Sequence, residues 1–349
     1  DVKIITLGPV SSQVIERNPY FYKKILFTGL NFIYLKREFD SILKTIKPEI
    51  IHCFDTAVYN VCKLLLVRGN YKFVLNKCGG PNLRYFPQAE NMILFSKENE
   101  IWFRNKSKFR KTNIYLIPNR VKAIKIKSEN KILKDESFFN FVKIARIGSV
   151  YKKSIKDSIN LVDKLLDETS NIKLYIIGQI INEKVYLELK EYAINSNVIF
   201  LTESKYTSEA SKMLYLADAV IGTGRGIMEA TSLSLPVLTS ASNSNYPILI
   251  NKNNFDDLFK ANFSERAIVT DMTKSHNINN IVKLVKNKNY RNELSKYSLN
   301  LFDKYFNVSN VVYKYNDVYE NAIKDTYRVS FWKDIILKLM TIRAYFLNR

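Results

Sequence analysis

The chain has 349 residues, 46% of them hydrophobic and 13% aromatic, so it can bury substantial cores and is not a disordered protein. Its formal charge of +21 indicates an anionic partner, but the lysines are scattered and no nucleic-acid-binding motif is present, so we expect no nucleic-acid partner. Three cysteines without paired spacing, beside only two histidines, match no zinc motif and indicate a reducing, cytoplasmic compartment. No uncharged apolar run reaches the ~18 residues that a membrane-spanning helix needs.

In the first half, short apolar runs alternate with amphipathic stretches, which is typical of parallel α/β architecture. The predicted strands are VKIITLG, EIIHCF, KFVLNKC, MILFS and IYLIPN, and the predicted helices are LKREFDSILKTIK and DTAVYNVCKLLLVRG. Because the chain starts at Asp1, already inside an apolar run, we expect an upstream strand to be missing.

A second α/β series follows a charged segment. Its predicted strands are FNFVKIAR, IKLYIIG, NVIFLT, DAVIGTG and PVLTS; its predicted helices are IKDSINLVDKLLDE, NEKVYLELKEYAIN, TSEASKMLYLA, one that starts near Glu229, and three near 277–286, 288–306 and 308–324. We therefore predict an N-terminal domain, a linker, a second domain, a crossover helix and a tail, at residues 1–122, 123–139, 140–307, 308–327 and 328–349. Two such domains predict a ligand cleft at the ends of their strands.

The stretch AVIGTGRGIMEA, residues 219–230, concentrates three of the ten glycines of the chain. A glycine turn that leads into a helix can present backbone N–H groups to an anion, and Arg225 could add a planar guanidinium. The spacing matches neither the dinucleotide fingerprint nor the P-loop. The alternative is a tight strand-to-helix turn with a surface arginine.

The longer segment YLADAVIGTGRGIMEATSLSLPVLTS resembles the donor-site signature of the retaining glycosyltransferases of family 4, the glycosyl transferases group 1. The segments KPEIIHCFD, YLIPNRV, KIARIGSVYKKSIKDSINLVDKL, KLYIIGQ and NVIFLTE resemble further family segments in the family's order. The resemblance covers the chain to about residue 325. It implies the α/β fold known as GT-B, in which two Rossmann-like domains face each other across a cleft and the second domain binds most of the nucleotide-sugar.

The resemblance also implies roles for single residues. Glu229 matches the glutamate that binds the donor ribose hydroxyls. Arg146, with Lys152 or Lys153, matches the basic pair that neutralises the donor diphosphate, so the reaction would need no metal and no cofactor. The glycine turn with its arginine would lie against the donor: Gly222, Gly224, Arg225 and Gly226.

Two departures from the family pattern indicate a divergent member. The first glutamate of the family's paired-glutamate motif would fall at Ile221, so that carboxylate is missing or supplied elsewhere. The histidine–glycine of the first domain is replaced by LNKCGGPN. There, Lys77, Gly79 and Gly80 are candidates for the acceptor or sugar side. We interpret His52 as a structural strand residue rather than a catalytic base.

The last segment, RVSFWKDIILKLMTIRAYFLNR, is basic and aromatic. Helical spacing brings five apolar residues to one face, interrupted by Arg343: Phe331, Ile335, Leu339, Ile342 and Phe346. Three basic residues lie on the opposite side: Lys333, Lys338 and Arg349. Such a helix can bind an anionic membrane surface. The alternative is a helix that packs on the first domain.

We therefore predict a retaining, metal-independent glycosyltransferase that moves a sugar from a UDP- or GDP-linked donor to a growing surface glycan. Polysaccharide, lipopolysaccharide and glycolipid acceptors, including lipid-linked ones, stay open. The resemblance implies front-face displacement, in which the departing phosphate helps to deprotonate the acceptor. The expected place is the inner face of the plasma membrane, as a peripheral protein. Two alternatives stay open: an inverting GT-B transferase or sugar-nucleotide epimerase, and a degenerate nucleotide-binding subunit of a glycan-assembly complex.

Overall fold

The structure, a computed structural model, describes residues 1–9, 13–66, 70–126, 134–169 and 171–347. The strands are β1 (Ile4–Leu7), β2 (Phe21–Ile25), β3 (Ile50–Phe54), β4 (Lys72–Lys77), β5 (Asn91–Leu94), β6 (Asn113–Leu116), β7 (Phe139–Ile144), β8 (Ile172–Ile177), β9 (Val198–Leu201), β10 (Ala219–Gly222), β11 (Val237–Thr239) and β12 (Ile248–Leu249).

The α-helices of the described residues, in chain order, are α1 (Gln13–Glu16), α2 (Phe32–Ile46), α3 (Thr56–Leu65), α4 (Lys97–Arg104), α5 (Lys152–Leu166), α6 (Glu183–Tyr192), α7 (Ser204–Thr207), α8 (Arg225–Thr231), α9 (Phe255–Lys260), α10 (Asp271–Lys286), α11 (Lys288–Leu301), α12 (Val312–Lys324) and α13 (Ile335–Leu347). Short 3-10 turns cover Ser107–Phe109, Ala210–Leu216 and Val308–Asn310, and a π-helical turn covers Phe302–Phe306.

The chain divides into two compact units, one made of residues 1–95, 99–117 and 313–349, the other of 96–98 and 118–312. In the first unit, β3, β4, β5 and β6 form a parallel sheet in that order, and β1 and β2 form a separate parallel pair. The inner strands β4 and β5 are buried along almost their whole length, as expected for a parallel sheet covered by helices. Asp55 starts α3 by accepting a 2.9 Å hydrogen bond from the backbone nitrogen of Val58.

The second unit is a doubly wound sheet with the strand order β12-β11-β10-β7-β8-β9, in which only β12 is antiparallel. The chain runs outward from β7 through β8 to β9 and then returns to the other side of β7 at β10. This reversal between β7 and β10 is the point at which open α/β sheets bind ligands, beyond the carboxyl ends of their strands. The fold therefore predicts where the site of this unit lies.

Several local features differ from the sequence-based expectations. Strand β2 was not predicted, because its sequence FYKKI places two lysines in a five-residue run. The predicted helix at 207–217 is instead largely a 3-10 turn, with helix α7 before it. Helix α9 forms in a polar segment for which the sequence pattern predicts no element. The predicted linker at 123–139 contributes residues to the second unit, and its residues 127–133 lie outside the described residues.

The C-terminal segment packs on the first unit. Helix α13 lies against α3, and Asn60 Nδ2 donates a 2.9 Å hydrogen bond to Thr341 Oγ1. The ring of Tyr345 lies 4.9 Å from that of Phe27. Lys338, expected on a solvated basic side, is buried and donates to the carbonyl oxygens of residues 331 and 333 at 2.7 and 2.8 Å. The segment is therefore part of a domain, while residue 349 lies outside the described residues.

Candidate functional site

The basic motif that contains Arg146 and the glycine turn after β10 lie at the same edge of the sheet of the second unit. Arg146 follows the end of β7 by two residues, and the glycine turn begins at Gly222, the last residue of β10. Strands β7 and β10 are hydrogen-bonded neighbours and run parallel, with Val142 opposite Val220. Because the carboxyl ends of parallel neighbours meet at the same edge, the two motifs lie together at the switch point.

The glycine turn is shorter than its sequence suggests. Only Thr223 and Gly224 connect β10 to α8, so Arg225 is the first residue of the helix and not part of the loop. Gly224 has a φ of +48° and donates a 3.2 Å hydrogen bond to the carbonyl oxygen of Phe263. A Cβ at Gly222 would lie 3.3 Å from the backbone nitrogen of Ile227, whereas one at Gly226 would meet no atom within 4 Å. Gly226 therefore leaves open space, and the other two glycines allow the turn itself.

The acid and the cation of this motif bind each other. Arg225 Nε donates a 2.6 Å hydrogen bond to Glu229 Oε1, one helical turn further along α8. The Arg225 side chain is 70% exposed and that of Glu229 only 15%. An arginine so exposed can leave its partner at little cost, since exposed ion pairs typically stabilise by less than about 1 kcal/mol.

Ile221 is fully buried in β10, where its side chain belongs to the apolar core. A side chain at this position packs inside the sheet and does not reach the edge. An isoleucine suits this apolar position, where an unpaired carboxylate would be costly to bury.

The three predicted diphosphate-binding cations differ in their partners. Lys152 and Lys153 begin α5; Lys152 pairs with Glu188, and Lys153 lies 2.7 Å from Asp157 Oδ2. Arg146 is exposed, its guanidinium lies 5.9 Å from the ring centre of Tyr151, and it forms no ion pair with another described residue. Of the three, Arg146 is therefore the cation whose charge is available to an anion.

One charged residue of this edge was not singled out from the sequence. Lys143 lies in β7 and is only 2% exposed. Burial lowers the pKa of its ammonium group to about 8, while the nearby carboxylates of Glu265 and Asp157 act in the opposite direction. The pKa of the Asp157 carboxyl is raised, because the effect of burial is larger than the opposite effect of neighbouring Lys153. A lysine inside an otherwise apolar strand was the available sequence signal.

In the first unit, the predicted acceptor-side residues form one turn at the carboxyl end of β4. Lys77 is buried and donates from Nζ to the carbonyl oxygens of Gly79 and Gly80 at 2.6 and 2.9 Å. Both glycines have positive φ angles, 76° and 75°, and a Cβ on either would meet no atom within 4 Å. Lys77 thus stabilises a turn whose glycines leave space beside the backbone.

His52 lies inside β3, as its structural interpretation requires. Its Nδ1 is 3.0 Å from the hydroxyl of Tyr319, and its ring stacks on Phe54 at 4.3 Å. Burial lowers the pKa of His52 to about 4. The imidazole is therefore neutral near pH 7 and packs between β3 and α12.

Across the described ranges, no group of three or more His, Cys, Asp or Glu side chains is arranged to hold a metal ion. In the same residues, no helix combines the length and the apolar character that crossing a bilayer requires.

Two Rossmann-like α/β domains, the second with cations and a glycine turn at its switch point, define the GT-B class of nucleotide-sugar-dependent transferases. The chain belongs to the glycosyl transferases group 1 family, whose sequence model matches residues 124–300. That match contains the whole edge formed by β7, β10 and β11. The protein is therefore a group 1 glycosyltransferase.

Solved structures share this fold at low sequence identity. A glycosyltransferase from Rickettsia africae ESF-5 is 13% identical with a TM-score of 0.66, over 93% of this chain and 91% of that one. The Anabaena protein HepE, solved with UDP and glucose, is 13% identical with a TM-score of 0.64, over 92% and 100%. Sucrose-phosphate synthase from Thermosynechococcus elongatus is 13% identical with a TM-score of 0.59, over 88% and 82%. No curated protein matches the chain.

Proposed function

We propose that this glycosyltransferase transfers a sugar from a UDP- or GDP-linked donor to a growing surface glycan, with retention of configuration and without a metal ion. The observation that carries the proposal is the pairing of β7 with β10, which brings Arg146 and the start of α8 to one sheet edge. The Anabaena structure with UDP and glucose supports a uridine nucleotide for this fold.

In the proposed complex the donor diphosphate lies against Arg146, whose charge no described carboxylate neutralises. Arg225 swings from Glu229 to the phosphates, and Glu229 then accepts hydrogen bonds from the ribose hydroxyls. The open space beside Gly226 lets the ligand approach the first turn of α8. The guanidinium of Arg146 lowers the barrier to transfer because it stabilises the negative charge that develops on the leaving diphosphate.

The transfer step forms a bond between the acceptor oxygen and the anomeric carbon while the bond from that carbon to the diphosphate breaks. The electron pair of the broken bond stays on the diphosphate, and the acceptor proton moves to the departing phosphate oxygen. Attack on the face that the diphosphate leaves retains the configuration. We assign the acceptor to the open turn at Gly79 and Gly80.

The proposal is tested with the purified chain, a panel of UDP- and GDP-sugars and glycan acceptors, with the anomeric configuration of the product determined by NMR. An α-linked product from an α-linked donor supports it. Inverted product would assign the chain to the inverting transferases, and a sugar nucleotide epimerised without acceptor would assign it to the epimerases. A chain that binds nucleotide but consumes no donor would be a binding subunit.

We further propose that the first unit binds the anionic inner face of the plasma membrane, where a lipid-linked acceptor would lie. Exposed apolar side chains lie on the outer face of α13 and at Trp332, three residues before the helix: Trp332, Ile336, Leu339, Met340, Phe346 and Leu347. The turn at Gly29 adjoins this face, since a Cβ there would lie 2.7 Å from the backbone nitrogen of Phe346, and it adds exposed Leu30 and Ile33. Lys333 and Arg343 supply positive charge.

The membrane proposal predicts that Ile336→Asp with Leu339→Asp abolishes sedimentation with phosphatidylglycerol vesicles at low salt. Both side chains are exposed, so the fold should survive. Ile194→Asp, on a 78% exposed residue of the second unit, is the matched control and should leave sedimentation unchanged. Equal sedimentation of all three proteins, or none by the wild type, would contradict the proposal.

A further inference from the structure

The edge formed by β7, β10 and β11 contains buried polar atoms without hydrogen-bond partners. Three of them are oxygen atoms without a partner among the described residues: Ser240 Oγ, Asn262 Oδ1 and Glu265 Oε1. Lys143, a residue that is 2% exposed, lies at the same edge and forms no ion pair with another described residue. Buried polar groups are almost always paired, so three unpaired oxygen atoms at one edge, beside a buried lysine, require an explanation.

Hydrogen bonds bring these residues together. The carbonyl oxygen of Phe263 accepts from the backbone nitrogen of Gly224 at 3.2 Å and from Thr239 Oγ1 at 3.0 Å. This carbonyl fixes the turn at 262–265 against both the glycine connection and the end of β11, where Ser240 follows. A Cβ on Gly224 would lie 3.8 Å from Asn262 Nδ2. Lys143 enters from β7, close enough to Glu265 and Asp157 for electrostatic interaction.

The chemistry of the four groups selects the ligand. Lys143 offers only donors, Glu265 and the Asn262 oxygen offer only acceptors, and Ser240 can do both. A phosphate offers acceptors alone and would be repelled by the carboxylates of Glu265 and Asp157. A sugar hydroxyl is uncharged, donates one hydrogen bond and accepts others, so a set of neighbouring hydroxyls can satisfy all four groups.

We propose that Lys143, Ser240, Asn262 and Glu265 form a subsite that binds the hydroxyl groups of the donor's sugar ring. The inference rests on the proposed function, because the sugar reaches this subsite as part of a nucleotide-sugar. It also assigns a carboxylate to sugar recognition in a chain whose β10 buries Ile221 inside the core of the same sheet. Glu265 supplies that carboxylate from a different segment.

The test compares affinities for a sugar nucleotide and for its bare diphosphate, measured by calorimetry with UDP, UDP-glucose, UDP-galactose, UDP-N-acetylglucosamine, GDP and GDP-mannose. In the wild type at least one sugar nucleotide should bind more tightly than its diphosphate. Glu265→Gln and Lys143→Met should reduce that ratio about tenfold and leave diphosphate affinity within twofold. Ser240→Ala, a substitution that removes one unpaired oxygen and should not impair folding, should reduce it about threefold.

Lys134→Met is the matched control. Lys134 pairs at 2.7 Å with Asp218, which lies just before β10 at the opposite edge of the sheet. The ratio of sugar-nucleotide to diphosphate affinity should therefore not change. Unchanged ratios in the Ser240 and Glu265 variants, or equal losses for diphosphate and sugar nucleotide, would overturn the subsite. A wild type that binds each diphosphate as tightly as its sugar nucleotides would also overturn the subsite, while the proposed nucleotide site would still be supported. A wild type that binds no nucleotide would overturn both proposals.

Discussion

Arg225 Nε and Glu229 Oε1 lie 2.6 Å apart, so the cation and the carboxylate predicted to bind the donor bind each other in the free protein. The two residues are separated by one turn of α8, and the arginine is the more exposed partner. A donor that occupies Glu229 must replace this hydrogen bond or share its acceptor. In the proposed donor complex the ribose hydroxyls take the place of Arg225 at this carboxylate, so substitutions of the two residues should have separate, measurable effects.

Replacing Glu229 with Gln should weaken binding of the nucleotide-sugar by roughly 10- to 100-fold. The amide removes a charged acceptor whose hydrogen bonds are worth about 1.5–3 kcal/mol. Calorimetry with the donor measures the loss. Glu183→Gln, in the first turn of α6, is the control and should leave donor affinity within twofold. Unchanged affinity in the Glu229 variant would remove that residue from the donor site.

Replacing Arg225 with Ala should lower nucleotide affinity about tenfold, because one charge-assisted contact to the diphosphate is lost. The free energy of unfolding should change by less than about 1 kcal/mol, since the lost ion pair is exposed. Titration calorimetry and urea unfolding give the two numbers. Tighter nucleotide binding in the variant would show that Arg225 blocks Glu229 and does not contact the phosphates.

Replacing Arg146 with Ala should lower turnover by two to three orders of magnitude, on the scale of losing one electrostatic contact to the transition state. Lys152→Ala serves as the comparison and should cost less, because Lys152 is paired with Glu188 in the free protein. EDTA should leave wild-type activity intact. Activity that disappears on chelation and returns with a divalent ion would overturn the metal-free reaction.

Lys143 should make the free energy of unfolding depend on pH in the alkaline range. Burial lowers its folded-state pKa from the ordinary 10.5 to about 8, so between these values the unfolded chain binds more protons than the folded one. The contribution of Lys143 to the free energy of unfolding therefore rises from pH 8 to 10.5, by on the order of 3 kcal/mol. Urea unfolding should show this rise in the difference between wild type and Lys143→Met, and not with Lys134→Met. A flat difference would contradict the burial of the ammonium group.

Replacing Asp334 with Asn should destabilise the first unit by about 1–3 kcal/mol, because Asp334 ties the start of α13 to the rest of that unit. Its carboxylate accepts from the backbone nitrogen of Gln88 at 2.8 Å and from Lys108 Nζ at 2.6 Å. Thermal unfolding measures the loss, and Glu320→Ala, in an exposed pair with Lys324, should be nearly neutral.

Because α13 packs on the first unit, a chain that ends after Lys324 should melt earlier than the full chain. If it keeps full stability, the segment is dispensable for the fold.

The sequence predicted most of what depends on local pattern. Apolar runs such as those of β7 and β8 are buried in a core, as their composition alone predicts. The predicted fold class is confirmed. The motif order identified the family. The pattern failed where tertiary contacts outweigh local preference: FYKKI forms strand β2 beside β1 despite its lysines, and residues 210–216 tighten into a 3-10 turn.

By itself, the sequence determined the fold class, the family resemblance and the identity of the candidate groups at the site, because these follow from residue type and spacing along the chain. Only the tertiary structure decided which of those groups are available. It paired Arg225 with Glu229, left Arg146 without an ion-pair partner among the described residues, and buried Lys338 against the first unit. It also brought Lys143 and Glu265 to one edge, although 122 positions separate them in the sequence (265 − 143). Burial and distance set the strength of a charge, and both depend on segments that are remote along the chain.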